Sequence, residues 1–270
     1  MRAVVEYDGT KFAGFQLQSN VRTVALELET ALAKVLTEPV RVTAAGRTDA
    51  GVHASGQVIS FSTQRTFPFE RLAIALNSIL PDDVSIREAQ IVDESFSARF
   101  SALERTYVYV VLNTEHRSAL LQRYAYHFRR TIDLDLLLGA ARTLIGEHDF
   151  RSFCGVLPEN GATVRRLTRI DARRSDDLIV LTFSADGFLH RMVRTLTGTL
   201  LEVASGRRDA DSIPEILQAR DRQAAGATAP ACGLYLAGVR YADFDSYKAP
   251  PIASLVGTAR DSPSGHSPET

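Results

Sequence analysis

Cysteine is almost absent from this 270-residue chain: Cys154 and Cys232 stand far apart and form no C-x-x-C pair. That argues against a disulfide framework and a cysteine zinc site, and a reducing cytoplasm is the expected compartment. Lysine is as scarce, with only Lys11, Lys34 and Lys248 among 31 basic residues. Nearly all positive charge is therefore guanidinium, the group suited to bidentate phosphate contact and stacking, although coding bias also produces arginine excess. Long apolar runs are missing too. No stretch approaches the roughly 18 residues of a membrane span, and Glu6 and Asp8 interrupt the run after Met1 and Arg2 before it becomes a signal peptide. No membrane partner is expected. Nor is there a charge excess: the formal charge is −1, which excludes a protein that holds nucleic acid by bulk charge and requires any such site to be local.

What is present is a folded chain, 45% apolar and 23% charged, long enough for two domains at about 150 residues each. Counted in blocks, residues 1–104 carry 10 basic and 13 acidic side chains, 105–210 carry 16 and 12, and 211–270 carry 5 and 7. The middle block is the basic one.

Ala3 to Tyr7 reads as a strand ended by the turn Asp8-Gly9-Thr10, and Val24 to Leu36 as an amphipathic helix with Leu28, Leu32 and Leu36 on one face. Val40 to Ala44 and Gln57 to Phe61 read as strands joined by the loop Ala45 to Ser55, Phe69 to Leu80 as a helix closed by Pro81, and Val84 to Val92 as a strand. Strand, helix, strand, strand, helix, strand is the split βαβ pattern. The second half gives a similar order. Arg105 to Leu112 is a strand, Arg123 to Phe128 another, Leu134 to Leu144 a helix, Thr163 to Ala172 and Leu178 to Ala185 a strand pair, Phe188 to Val203 a helix, and Leu234 to Val239 a last strand.

The expected fold class is α+β: two ferredoxin-like or RRM-like α/β units, residues 1–104 and 105–245, with sheets joined around a central active-site cleft. From Ser246 on, prolines among Ser, Gly and Thr predict a mobile tail, 246–270, in which Ile252 to Val256 is the part able to dock.

The most concentrated polar passage is Ala45-Gly46-Arg47-Thr48-Asp49-Ala50-Gly51-Val52-His53-Ala54. It sets a guanidinium, a hydroxyl, a carboxylate and an imidazole around two glycines, where backbone bends tightly and other groups approach closely. By composition alone it is either a catalytic loop or turn chemistry between strands. His53 is open as a general base or as a histidine with no chemical role. His127, His148 and His190 form no metal spacing with the cysteines, and neither G-x-x-x-x-G-K-[ST] nor G-x-G-x-x-G occurs, so no metal and no nucleotide cofactor is expected.

The passage Gly46 to Ala54 resembles the catalytic loop of the TruA-type tRNA pseudouridine synthases. Four other passages agree in content and order: Tyr7-Asp8-Gly9-Thr10 with Phe12, Gly14, Gln16 and Gln18; Phe96 to Phe100 followed by Arg105, Tyr107 and Tyr109; Gly187 to Arg194; and Ala229 to Leu234. His148-Asp149-Phe150 with Phe153 is a weaker fifth. The resemblance spans residues 1 to 242 and has two departures: Phe15 where members usually have Trp, and Thr195 where Asn usually follows Met-Val-Arg.

The resemblance implies isomerisation of uridines 38, 39 and 40 in the anticodon stem-loop of tRNA, by a cytoplasmic homodimer without cofactor. The reaction breaks the N1 to C1′ bond, turns the uracil and joins C5 to C1′. Asp49 is implied as the anionic group beside the sugar, attacking C1′ like a retaining glycosidase nucleophile or removing the 2′ proton. Arg194 is implied as the cation that orients it, and Arg47 as the residue that opens the stem and holds the displaced nucleotide, because a stacked base must be extruded. Tyr107 is implied as the stacking partner of the flipped base, with a hydroxyl able to take the C5 proton. Thr48 within the loop, and Phe188 or Leu189 below the base, complete the expected site. Two other readings stand beside this one. A pair of RRM-like units binding RNA without chemistry lacks an RNP1 pattern and has only Phe61 as a stacking aromatic on its strand. A glycosidase using Asp49 needs a second carboxylate at a set distance.

Overall fold

The computed structural model describes residues 1–254. Among them ten strands form one mixed, mostly antiparallel sheet: β1 (Arg2–Tyr7), β2 (Thr43–Ala44), β3 (His53–Ser60), β4 (Val84–Gln90), β5 (Glu104–Leu112), β6 (Tyr126–His127), β7 (Gly146–Asp149), β8 (Val164–Ser175), β9 (Leu178–Ala185) and β10 (Leu234–Arg240). The order is β4-β1-β3-β10-β5-β9-β8-β7, with β2 beside β3 and β6 beside β5. The two halves of the chain meet where β10 runs parallel to β3, pairing Tyr235 with His53 and Leu236 with Ala54. Alternation decides the faces. Tyr107, Tyr109 and Val111 of β5 join the main core under the helices, whereas Val108, Val110 and Leu112 join a smaller core on the opposite face.

Helix α1 (Val24–Leu36) starts where the Thr23 hydroxyl accepts the Leu26 N–H, and it buries Leu28, Leu32 and Leu36. Helices α2 (Leu72–Asn77), α3 (Leu134–Arg142), α4 (Met192–Ala204) and α5 (Ser212–Ala219) also bury apolar residues in the main core. Asp133 caps α3 by accepting from Asp135 and Leu136. A short α6 (Pro251–Ser254) closes the described residues.

Several boundaries differ from those read off the sequence, each for a local reason. Strand β3 begins at His53 rather than Gln57, and it is buried throughout. Small residues conceal it: a Cβ on Gly56 would lie 2.2 Å from Ala237 O, so the neighbouring backbone needs glycine there. Strand β2 holds only Thr43 and Ala44, because Val42 N–H bonds the Glu29 carboxylate of α1 instead of a strand. The helix expected over Phe69 to Leu80 is a 3-10 turn followed by the short α2. The strand expected over Arg123 to Phe128 is limited to Tyr126–His127. Helix α4 starts at Met192, not Phe188, because Arg191 adopts a left-handed backbone (φ 59°) that ends the preceding turn.

Strand β7 and helices α5 and α6 are additions to the expected elements. Residues 246–254, expected to begin a mobile tail, lie against the sheet. Ser246 Oγ donates to Gly56 O at 2.7 Å and Lys248 N–H to Ala237 O at 2.8 Å, while Ala253 is buried and Ile252 packs beside it. The rest of that segment, including Leu255 and Val256, lies outside the described residues.

Candidate active site

The loop between β2 and β3 is held from behind by backbone and by one buried amide. Gln57 of β3 donates to Gly46 O at 2.7 Å, and Ala45 N–H to Val58 O at 2.8 Å. Tyr7, ending β1, meets Thr48 Oγ1 at 2.8 Å, and Phe15 N–H donates to Thr48 O at 3.0 Å. Burial pushes the Tyr7 phenol up to about 12 against the hydrogen bonds from Thr48 and Gln57, so it stays protonated. Gly14 (φ 103°) is required by close approach, since a Cβ there would lie 2.9 Å from Thr48 O. Phe15 fills the aromatic position beside Tyr7, with ring centroids 6.3 Å apart. Thr48 thus acts as an anchor of the loop.

Next to this anchor, Asp49 faces a cleft of about 1260 Å³. Arg194 Nη1 donates to Asp49 Oδ2 at 2.9 Å, while Arg194 Nε donates to Ala229 O at 2.8 Å and Ala229 N–H returns a bond to Arg194 O. Ala229 therefore fixes the guanidinium, and the guanidinium fixes one carboxylate oxygen. The other oxygen, Oδ1, accepts no hydrogen bond among the described residues and has His190 Nε2 at 3.6 Å. Thr195, the second departure from the family pattern, is fully buried and meets Thr228 Oγ1 at 3.4 Å, next to the same anchoring segment. Pro230 O accepts the Tyr109 hydroxyl at 2.7 Å, so the Ala229 to Leu234 passage positions both a cation and the core of β5.

Tyr107 and Tyr109 share a face of β5, but only Tyr107 lines the cleft. Its hydroxyl makes no hydrogen bond among the described residues. Burial, reinforced by Tyr7 and Asp49, holds the phenol well above the ordinary range. Phe188 meets the Tyr107 ring edge-on at 5.1 Å, and Leu189 lies beside them in the cleft. Both belong to the turn between β9 and α4 rather than to a helix start. Arg47 is exposed at the cleft wall and has no ion pair or hydrogen bond among the described residues.

The structure thus brings Asp49, Arg47, Thr48, Tyr107, Phe188 and Leu189 to one cleft, holds Arg194 against the Asp49 carboxylate, and leaves His53 out of the lining. His53 is buried in β3 and stacked on Tyr235 at 4.8 Å. Its Nδ1 accepts from Gly9 N–H at 3.1 Å, so Nε2 carries the proton and donates to Arg123 O at 2.9 Å. Burial pushes its pKa down against the pull of the Asp8 carboxylate, whose Oδ1 lies 3.1 Å away. The general-base role open to His53 in the sequence is corrected by this placement.

Two residues gain importance only in three dimensions. His190 lies beside Asp49, and Arg105 reaches Ala45 O, Ala102 O, Arg99 O and Asp186 O with one guanidinium. Both stand in passages that carry the family resemblance, yet spacing alone does not say which neighbours they meet. No group of three or more His, Cys, Asp or Glu side chains able to hold a metal occurs among the described residues. No helix among them is long and apolar enough to cross a membrane.

The family profile described as tRNA pseudouridine synthase matches residues 3–101 and 140–242. The chain belongs to this family. A tRNA pseudouridine synthase A of Bacillus pumilus is 46% identical over 243 residues, covering 89% of this chain and 98% of that protein. The protein of that name from Aeromonas hydrophila is 46% identical over 237 residues, 88% of each chain, and that from Bacillus subtilis 42% over 243, covering 89% and 98%. As a family member, the chain is an isomerase that converts uridine to pseudouridine in tRNA. The matched segments contain Arg47, Thr48, Asp49, Phe188, Leu189, His190 and Arg194, while Tyr107 lies between them.

Proposed function

We propose that the chain isomerises uridines 38, 39 and 40 in the anticodon stem-loop of tRNA with Asp49 as nucleophile. The carrying observation is the asymmetry of the Asp49 carboxylate: Oδ2 is held by Arg194 at 2.9 Å, and Oδ1 is left to face the cleft. In this reading Oδ1 attacks C1′ as the N1 to C1′ bond breaks. The uracil turns within the cleft, C5 then bonds C1′, and the Asp49 ester bond breaks. C5 loses a proton and N1 gains one, so atoms and charge balance with no redox partner.

The Tyr107 ring, with its edge braced by Phe188, supports a role as stacking partner of the flipped base. Its unengaged hydroxyl supports a role in carrying the C5 proton, as a phenol that passes its own proton on as it receives one. Arg47, cationic and without an ion pair among the described residues, suits the displaced phosphate backbone. Among the described residues the charged partners of Asp49 are Arg194 at 2.9 Å and His190 at 3.6 Å rather than a second carboxylate, which favours isomerisation over hydrolysis.

We read each half of the chain, residues 1–104 and 105–245, as a split βαβ unit. The strand order β4-β1-β3 with β2 beyond it, and β10-β5-β9-β8, supports that reading. We also propose a homodimer with tRNA lying across both subunits, supported by near-neutral net charge with the basic excess confined to the middle block. Two free thiols, Cys154 and Cys232, support a cytoplasmic location.

Pseudouridine mapping on unmodified tRNA transcripts tests the proposal. Wild type is expected to modify the anticodon stem-loop at positions 38 to 40, and Asp49→Ala nowhere. Product outside that stem-loop, or from Asp49→Ala, would overturn it.

A further inference from the structure

Phe100 is the most conspicuous side chain at the cleft that the reaction, as derived above, does not use. It lines the cleft wall yet is 80% exposed. A lone exposed apolar residue means little by itself; this one is unusual in how firmly it is presented. The turn that carries it is fixed at every neighbouring residue. Ser97 N–H donates to Ser101 Oγ and Ser101 N–H to Ser97 O, both at 3.0 Å, and Phe100 N–H donates to Ser97 Oγ at 3.3 Å. Ala98 is fully buried, donates to Ser60 Oγ and accepts from the Tyr241 hydroxyl at 2.8 Å.

Arg105 links this turn to the chemistry. Its guanidinium donates to Arg99 O at 2.6 Å and to Ala45 O at 3.1 Å, so one cation ties the Phe100 turn to the start of the Asp49 loop. The Arg99 guanidinium lies over the Phe100 ring, 5.2 Å from its centroid, so a cation covers part of one side of a ring that is otherwise open at the cleft. A rigid, exposed aromatic beside cations is the arrangement that stacks an unpaired base and holds its phosphate.

We infer that Phe100, with Arg99 beside it, is a stacking platform for a nucleotide next to the target uridine, one that loses its neighbour when the uridine is extruded. The platform takes a base by its face and is therefore tolerant of sequence. This rests on the functional reading above, and the experiment separates the two.

Wild type, Phe100→Ala and Phe100→Trp are assayed as full chains on a tRNA transcript that wild type modifies. In parallel, transcripts with 2-aminopurine at each nucleotide flanking the target report stacking by fluorescence quenching. Phe100→Ala is expected to raise KM about tenfold with kcat within a factor of about two, to keep the melting temperature of wild type, and to lose quenching at one flanking position. Phe100→Trp is expected to restore both KM and quenching, which a purely structural residue would not do. An active wild type with Phe100→Ala indistinguishable from it in KM and quenching would overturn the platform alone. So would a change of oligomeric state with KM kept, since Phe100 would then face a second copy. A wild type that forms no pseudouridine would overturn the functional reading itself and the platform with it.

Discussion

Asp49 and His53 lie four residues apart in one motif and have opposite fates. His53 is buried, with both ring nitrogens engaged and its face covered by Tyr235. Asp49 is only partly buried, with one oxygen clamped by Arg194 and the other left without a hydrogen bond among the described residues. The difference separates chemistry from support. A group whose hydrogen-bonding capacity is already spent inside the protein has nothing to offer a substrate, whereas one oriented at a single atom is ready to react at the other. The partners of His53 also show what it supports: it joins Gly9 of the first half to Arg123 of the second, at the row where β3 meets β10.

The contrast is tested most severely at the clamp. Arg194→Ala is expected to lower kcat about 100-fold or more while leaving the fold intact. Arg194→Lys is expected not to rescue it, because an ammonium cannot reach Ala229 O and Asp49 Oδ2 together; steady-state kinetics check both. A fall confined to KM would mean that the guanidinium holds RNA rather than the carboxylate.

At the supporting end, His53→Ala is expected to cost about 2 to 4 kcal/mol of stability by unpairing Gly9 N–H and Arg123 O and leaving a cavity. The pH dependence has a definite sign. The folded chain keeps His53 neutral, while the unfolded chain takes up a proton near the ordinary value of about 6.5. Stability from this group is therefore complete above that value and falls as the pH drops below it. Melting temperatures of wild type and His53→Ala across pH 5 to 8 are expected to converge toward acid. Parallel curves would mean that His53 titrates alike in the folded and unfolded chain.

The smallest effect is expected at Arg47, which has no ion pair among the described residues. Arg47→Ala is expected to raise KM a few-fold and to reduce the dependence of log affinity on log salt by about one ion, with kcat little changed. An unchanged salt slope would remove Arg47 from the phosphate path.

Much of this division was legible in the sequence, but not all of it. The Asp49 loop announced itself by packing reactive groups between glycines, and Arg194 followed from the family resemblance. The amphipathic period of Val24 to Leu36 marked α1 to the residue. The start of β3 at His53 was hidden because Ala54, Ser55 and Gly56 look like loop, whereas they belong to a strand buried throughout, where Gly56 admits the Ala237 backbone. Phe188 and Leu189 looked like a helix start because apolar spacing does not show the left-handed turn at Arg191. Residues 246–254 looked like tail because their attachment to the sheet runs through the Ser246 hydroxyl and backbone groups, which composition does not reveal.

The most direct test of the central claim is a single-turnover measurement on Asp49→Asn with an unmodified tRNA transcript, paired with its tRNA affinity and melting temperature. Asparagine keeps the shape and removes the carboxylate proposed as nucleophile. The account predicts wild-type affinity and stability with the rate down by at least about a thousandfold. Turnover within about tenfold of wild type would contradict it, and would place the reacting group elsewhere in the cleft.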